Sequence, residues 1–296
     1  MSLLVGAVLV LALVGAACVP EPPPPPPRAV LVYGDSLTSE ARVDIEARIQ
    51  ALVPDRQVLI RAFGGTAQCD WHQHMQDDAA AFTVDAVVIQ FSGNNFTSCI
   101  TSRTQRVSPP PLSIADAYGA DAQWAVDFWR GKGVPLGFVA GPGRVGFLPS
   151  DDAVGAMYRS VGASRSVLVV DPAPLFVGDD GRYSEHMPCL VGECADSTIQ
   201  VRNYDGVHFC VSPPGGAAGC SAYLSGAVRF AEAIVHGVAT LVGLPQPPYR
   251  AMVTPTTTTT STTSTTSTTS TSSTTSTTST TSTTSTTTTS STLPPE

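Results

Sequence analysis

Short apolar runs alternate with stretches of helical spacing along most of this chain. Ala29–Tyr33 (AVLVY) has the length and composition of a buried strand, and Leu37–Leu52 after it places apolar residues at helical intervals. Gln57–Phe63 (QVLIRAF) reads as a second strand ending at Gly64-Gly65, followed by a helical stretch over Trp71–Phe82. Asp85–Phe91 (DAVVIQF) reads as a third strand, ending at Ser92-Gly93-Asn94-Asn95. Ile114–Arg130 fits a helix with Trp124 and Phe128 on one face, where they are expected in the core. Pro135–Ala140 and Ser166–Val170 read as a fourth and a fifth strand, with a helix around Asp152–Val161 between them. A last helix is expected over Ala222–Val242. Alternating strands and helices predict an α/β fold: a parallel sheet with helices on both faces.

The ends of the chain follow other rules. Residues 1–17 are apolar and uncharged and stop at Gly15-Ala16-Ala17-Cys18, as a secretion signal does. Cys18 after small residues is similar to a bacterial lipoprotein site, which would attach the chain to a membrane through a lipidated Cys18. Two departures stand against that reading: Met1-Ser2 carries no Lys or Arg, and Gly15 stands where lipoprotein sites usually have Leu. Residues 18–28 form a Pro-rich linker, and 251–296 a Thr/Ser tail expected to be disordered. Such tails serve as linkers or as glycosylated stalks, and here the tail could associate with a cell wall. About 29–250 remains as one folded domain, long enough for a sizeable core.

Charge and cysteines narrow the partners and the compartment. A formal net charge of -8 without a basic cluster argues against nucleic acid. Setting Cys18 aside leaves six cysteines: Cys69, Cys99, Cys189, Cys194, Cys210 and Cys220. An even set in an exported chain points to disulfides. Proximity favours Cys189–Cys194 and Cys210–Cys220, which leaves Cys69 with Cys99. No C-x-x-C pair is present, so no metal is expected; Asp70, His72 and His74 read as surface or pocket lining. A secreted or envelope location follows.

The chemistry sits where the strands end. In parallel α/β sheets ligands bind beyond the carboxyl ends of the strands. Tyr33-Gly34-Asp35-Ser36, Gly64-Gly65 and Gly93-Asn94-Asn95 each follow such an end, and the long segment 171–221 brings Asp205-Gly206-Val207-His208. A serine needs a base to take its proton and a third group to hold the base, and here they occur in the order Ser…Asp…His. Each block alone is ordinary: Asp35-Ser36 a helix N-cap, Gly64-Gly65 a turn, Asn94-Asn95 loop residues, Asp205-Gly206 a turn.

Together, and in this order over residues 29–240, the four blocks resemble the SGNH, or GDSL, hydrolase superfamily. The resemblance implies a three-layer α/β/α sandwich with a five-stranded, flavodoxin-like parallel sheet. It also implies serine ester hydrolysis without a cofactor. It makes Ser36 the nucleophile, His208 the base and Asp205 its orienting carboxylate. The implied oxyanion hole uses the N–H of Ser36, the N–H of Gly64 and the side chain of Asn94. Block three departs from the family's G-x-N-D: strand register puts Ser92 at the Gly and Asn94 at the Asn, while Gly93-Asn94-Asn95 read directly selects Asn95. Gly65 is the alternative to Gly64. Acetyl or other short acyl esters of carbohydrates or lipids are the substrates implied. Two other uses of the same residues stay open: acyl transfer to a sugar hydroxyl, and an inactive envelope binding domain.

Overall fold

The computed structural model describes residues 24–108, 110–194, 197–211 and 222–253. The proposed leader, residues 254–296 of the Thr/Ser tail and Cys220 lie outside the described residues.

Five strands form one sheet: β1 (Arg28–Gly34), β2 (Gln57–Ala62), β3 (Thr83–Gln90), β4 (Leu136–Val139) and β5 (Leu168–Val170). Their order is β2-β1-β3-β4-β5 and every pairing is parallel, so the expected α/β/α class with a flavodoxin-like order is observed. β1 lies between β2 and β3, paired along its length on both sides. It is apolar at every position from Ala29 to Tyr33, and all five side chains are buried, as a strand covered on both faces requires.

The pleat sends alternate residues to opposite layers. Val30 and Val32 join one core with the helices α1 (Ser36–Glu40), α2 (Arg42–Leu52) and α7 (Ser225–Leu241), through Leu37, Ile45, Ile49, Phe230 and Ile234. Ala29, Leu31 and Tyr33 join the other, with α3 (His72–Ala81), α5 (Ile114–Gly131) and α6 (Ala153–Arg165).

Several sequence expectations change in detail. The helix expected over 37–52 is two helices, α1 and α2, with Ala41 between them at φ -88°, ψ 1°. The last helix starts at Ser225 rather than Ala222. Ala222 and Tyr223 instead form β9, antiparallel to β8 (Cys210–Val211). A helix α4 (Ser98–Thr104) follows block three, and segment 171–221 holds a further antiparallel pair, β6 (His186–Pro188) with β7 (Thr198–Gln200). These pieces are too short for periodicity to reveal. Trp124 and Phe128 are half-buried rather than core: Trp124 stacks on His72 at 3.8 Å and on Phe128 at 5.1 Å, so the three rings cover one another on the outside of α5.

Candidate active site

Block one is a tight strand-to-helix turn. A Cβ on Gly34 would stand 2.1 Å from the Thr38 hydroxyl, so only glycine lets β1 enter α1 this closely. Asp35 caps α1, accepting the Leu37 N–H at 3.1 Å, and this places Ser36 as the first helical residue at the carboxyl end of β1. Its N–H is among the first-turn donors that a helix leaves without an internal partner.

Asp35 is fully buried and also holds block three. One of its oxygens accepts the N–H of Ser92 at 2.7 Å and the Ser92 hydroxyl at 2.5 Å, and lies 3.5 Å from the Asn94 amide nitrogen. Burial raises its pKa, and the bonds from Ser92 and Leu37 offset part of that rise. Thr38 donates to Gln90, the last residue of β3, at 2.7 Å. β1 and β3 are adjacent, so block one and block three meet where the strand order reverses, the place such sheets reserve for ligands.

The structure brings the three triad candidates together. His208 Nε2 lies 3.0 Å from Ser36 Oγ, and His208 Nδ1 lies 2.7 Å from Asp205 Oδ2. The other Asp205 oxygen accepts the N–H groups of Val207 at 2.8 Å and of His208 at 3.0 Å. Burial raises the Asp205 pKa, but those two N–H groups and the imidazole outweigh it, and the carboxyl ends below its ordinary value. Gly206 at φ 74° makes the turn between carboxylate and histidine, and its carbonyl accepts the Val145 N–H at 2.9 Å.

The glycine and asparagine alternatives separate by geometry. A Cβ on Gly64 would lie 3.8 Å from the Ser36 Cβ, so Gly64 is the residue beside the serine. Gly65, at φ 79°, makes the turn and faces Phe96. Among the described residues no backbone carbonyl accepts the Gly64 N–H. Asn94 is half-buried against Asp35, whereas Asn95 is exposed. The Asn94 amide donates to the Thr66 carbonyl at 3.0 Å and, in a longer bond, to the Asp35 oxygen at 3.5 Å.

A cavity of ≈ 350 Å³ opens between the loops after β3 and β4. Leu37 and Val207, the chain neighbours of Ser36 and His208, are part of its wall, with Asn94, Phe147, Leu148 and Arg144. Trp71 is not in this wall; it is half-buried, its indole N–H donating to Thr66 at 3.0 Å.

Sequence reasoning missed two supports of the histidine segment. Arg202 is wholly buried between the rings of Phe176 and Phe209, 4.7 and 4.5 Å from their centroids, and donates to the Pro142 carbonyl at 2.7 Å. Desolvation pushes its pKa down to about 9. Glu40, in α1, accepts the Phe209 N–H at 2.7 Å. Neither residue belongs to a motif, and a charged residue in a sequence reads as solvated by default.

Two expected disulfides are present, Cys69–Cys99 and Cys189–Cys194. Cys220, the expected partner of Cys210, lies outside the described residues. Asp70, His72 and His74 do not converge: Asp70 accepts the Ala67 N–H at 2.8 Å, His72 stacks on Trp124, and His74 packs against Trp71 at 5.2 Å. Among the described residues the one group close enough to hold an ion is Cys69, Asp70 and Cys99, and its two sulfurs are already bonded to each other.

Three solved structures give a sense of the likeness at the level of the whole chain. An alpha/beta hydrolase enzyme from the metagenome of Lake Arreo is 16% identical, with 73% of this chain and 95% of that one covered, at a TM-score of 0.46. A putative acylhydrolase from Bacteroides fragilis is 13% identical over 77% of this chain and 94% of that one, at 0.46. An acetylxylan esterase from Geobacillus stearothermophilus is 14% identical over 76% and 97%, at 0.45. No curated protein matches the chain. These superpositions are loose, and the assignment to a family rests on a sequence model instead. That model, described as "Protein of unknown function (DUF459)", matches residues 29–218, from the start of β1 through all four blocks, and the chain belongs to this family.

Proposed function

We propose that this protein is an exported SGNH-type carboxylic ester hydrolase that works through an acyl-enzyme on Ser36. The observation that carries the reading is the continuous chain from Ser36 Oγ to His208 at 3.0 Å and from His208 to Asp205 at 2.7 Å, at the switch point of the sheet.

The steps follow from that geometry. His208 Nε2 takes the Ser36 proton as Oγ attacks the ester carbonyl, and Asp205 stabilises the imidazolium that forms. The anionic oxygen of the tetrahedral intermediate faces the N–H groups of Ser36 and Gly64 and the Asn94 amide, whose long bond to Asp35 it replaces. His208 then returns the proton to the departing alcohol, which leaves Ser36 acylated. Water, activated by the same imidazole, attacks the acyl-enzyme, and Ser36 regains its proton as the acid departs. No cofactor takes part.

The substrates proposed are acetyl or other short acyl esters of carbohydrates or lipids. A water molecule takes roughly 30 Å³ of liquid volume, so the cavity walled by Leu37, Asn94 and Val207 has room for groups well beyond an acetyl. Export is supported by the two disulfides, which persist in oxidising compartments. Among the described residues no helix is long and apolar enough to cross a membrane. The domain organisation proposed is a signal peptide or lipoprotein signal over 1–17, a Pro-rich linker over 18–28, the hydrolase domain over 29–250, and a Thr/Ser tail over 251–296.

The test is release of p-nitrophenol from acetyl and longer acyl esters by the oxidatively folded protein and by Ser36→Ala. Hydrolysis that disappears in the variant, with Ser36 alone labelled by an organophosphorus reagent, is expected. Equal rates in the two proteins would end the proposal.

A further inference from the structure

We infer that Glu40 is a positioning residue that holds the histidine base against the nucleophile; the inference rests on the serine hydrolase reading above. Ser36 and Glu40 are the first and last residues of α1, four apart and therefore one helical turn along the same face. Glu40 Oε2 accepts the N–H of Phe209 at 2.7 Å, and Phe209 directly follows His208. One turn of helix thus presents the serine hydroxyl at one end and grips the chain beside its base at the other.

The grip matters because, apart from His208 to Ser36, the other hydrogen bonds described for residues 203–209 do not reach α1. Asp205 is part of the segment it orients, and the bond from the Asn203 N–H to the His208 carbonyl, at 2.7 Å, is also local. Gly206 is tied to Val145, Arg202 to Pro142, and the Phe209 carbonyl to Leu224. Among the described residues, the hydrogen bonds from 203–209 to α1 are His208 to Ser36 and Phe209 to Glu40. The first is the bond that catalysis must break and remake. The second persists through the reaction and sets the distance at which the first can form.

The surroundings fit a fixed support. Phe209 is wholly buried, its ring between Phe176 at 5.8 Å and Phe230 at 5.5 Å, so its N–H points from a packed residue to one acceptor. The charged groups that face the Glu40 carboxylate are His208, Asp205 and Arg202. Burial raises the Glu40 pKa, and the Phe209 N–H and the charge of His208 offset part of the rise.

The experiment measures kcat and KM of the full chain on a p-nitrophenyl ester for wild type, Ser36→Ala, Glu40→Ala, Glu40→Gln and Glu40→Asp. A misplacement of about 1 Å costs on the order of 10²-fold in rate, so Glu40→Ala is expected to lower kcat by about 10- to 100-fold with KM within about twofold. Glu40→Gln keeps an acceptor at the same reach and is expected to return most of the rate. If Glu40→Ala does not fold by circular dichroism, the other pair decides: Asp withdraws the acceptor by one methylene and should lose rate where Gln does not. Wild-type kcat in Glu40→Ala or Glu40→Asp overturns the inference, as does a Gln variant no better than Ala. Loss of all activity in Ser36→Ala keeps those outcomes separate from failure of the underlying reading, which a fully active Ser36→Ala would signal.

Discussion

Ser92 gives both its N–H and its hydroxyl to one oxygen of the buried Asp35. On the register reading of block three, Ser92 stands where the SGNH pattern has glycine, and its side chain adds a second bond to the carboxylate that precedes Ser36. Hydrogen bonds to a charged group contribute about 1.5–3 kcal/mol. Ser92→Gly, which restores the glycine of that pattern, is therefore expected to lower stability by roughly 1–3 kcal/mol. Asp35→Asn should cost more, because an amide has one acceptor oxygen, whereas Asp35 uses both of its oxygens, one for Leu37 and one for Ser92. Urea unfolding of both variants checks the order; a Ser92→Gly as stable as wild type would show that the hydroxyl adds nothing.

Asn94 and Asn95 should differ sharply in their effect on rate. Asn94 is the one held against Asp35 and Thr66, and its 3.5 Å bond to Asp35 is the long one that an incoming anion would replace. Removing one oxyanion donor costs about 10²–10³ in kcat. Asn94→Ala is expected to lose that much with little change in KM, and Asn95→Ala to stay within about threefold of wild type. The reverse ranking would put the other asparagine in the hole.

The sheet was legible because every strand is a short apolar run closed by a polar or glycine-rich block. The candidate site residues Ser36, Asp205 and His208 stood out because each lies in a short motif, and the structure places their side chains within hydrogen-bond distance of one another. What stayed hidden depends on contacts between distant segments. Nothing near Glu40 shows that its carboxylate meets Phe209, 169 residues away. Nothing near Arg202 marks it as buried between two phenylalanine rings, since arginines are mostly exposed. The break at Ala41 escaped because the apolar spacing runs through it from Leu37 to Ile45, and both residues stay in one core. The choice between Gly64 and Gly65 needed backbone angles, as a turn glycine and a donor glycine look alike in sequence.

The disulfide Cys69–Cys99 joins the two loops that carry the oxyanion candidates. Cys69 lies five residues after Gly64, and Cys99 five after Asn94. The bridge spans 30 residues, and loop-closure entropy assigns such a cross-link about 3–4 kcal/mol. Cys69→Ser with Cys99→Ser is expected to lower stability by that order. It should also reduce kcat on a p-nitrophenyl ester at temperatures where the protein stays folded, as Gly64 and Asn94 lose their common tether. A double variant with lowered Tm and unchanged kcat would assign the bridge to stability alone.

His72 gives the fold a pH dependence of definite sign. Burial pushes its pKa below the ordinary histidine value, with Asp121 offsetting part of the shift and Arg103 adding to it; among the described residues its Nε2 has no hydrogen-bond partner, the Asp121 carboxylate lying 3.7 Å away. The unfolded chain takes up a proton near pH 6.5, while the folded chain holds the ring neutral to lower pH. In that window the unfolded state binds more protons, so stability falls as pH drops below about 6.5, by at most about 1.4 kcal/mol per pH unit for this group. The loss stops once pH passes below the folded pKa. His236 is shifted in the same direction, also by burial, and adds its own share. Replacing His72 by Phe keeps a ring on Trp124 and removes the titration. The expected result is a shallower fall of Tm between pH 6.5 and 5 than in wild type, with His236 left to supply the remainder. Thermal melts of wild type and His72→Phe across that range decide it, and identical slopes would show that His72 is protonated in the folded chain as readily as in the unfolded one.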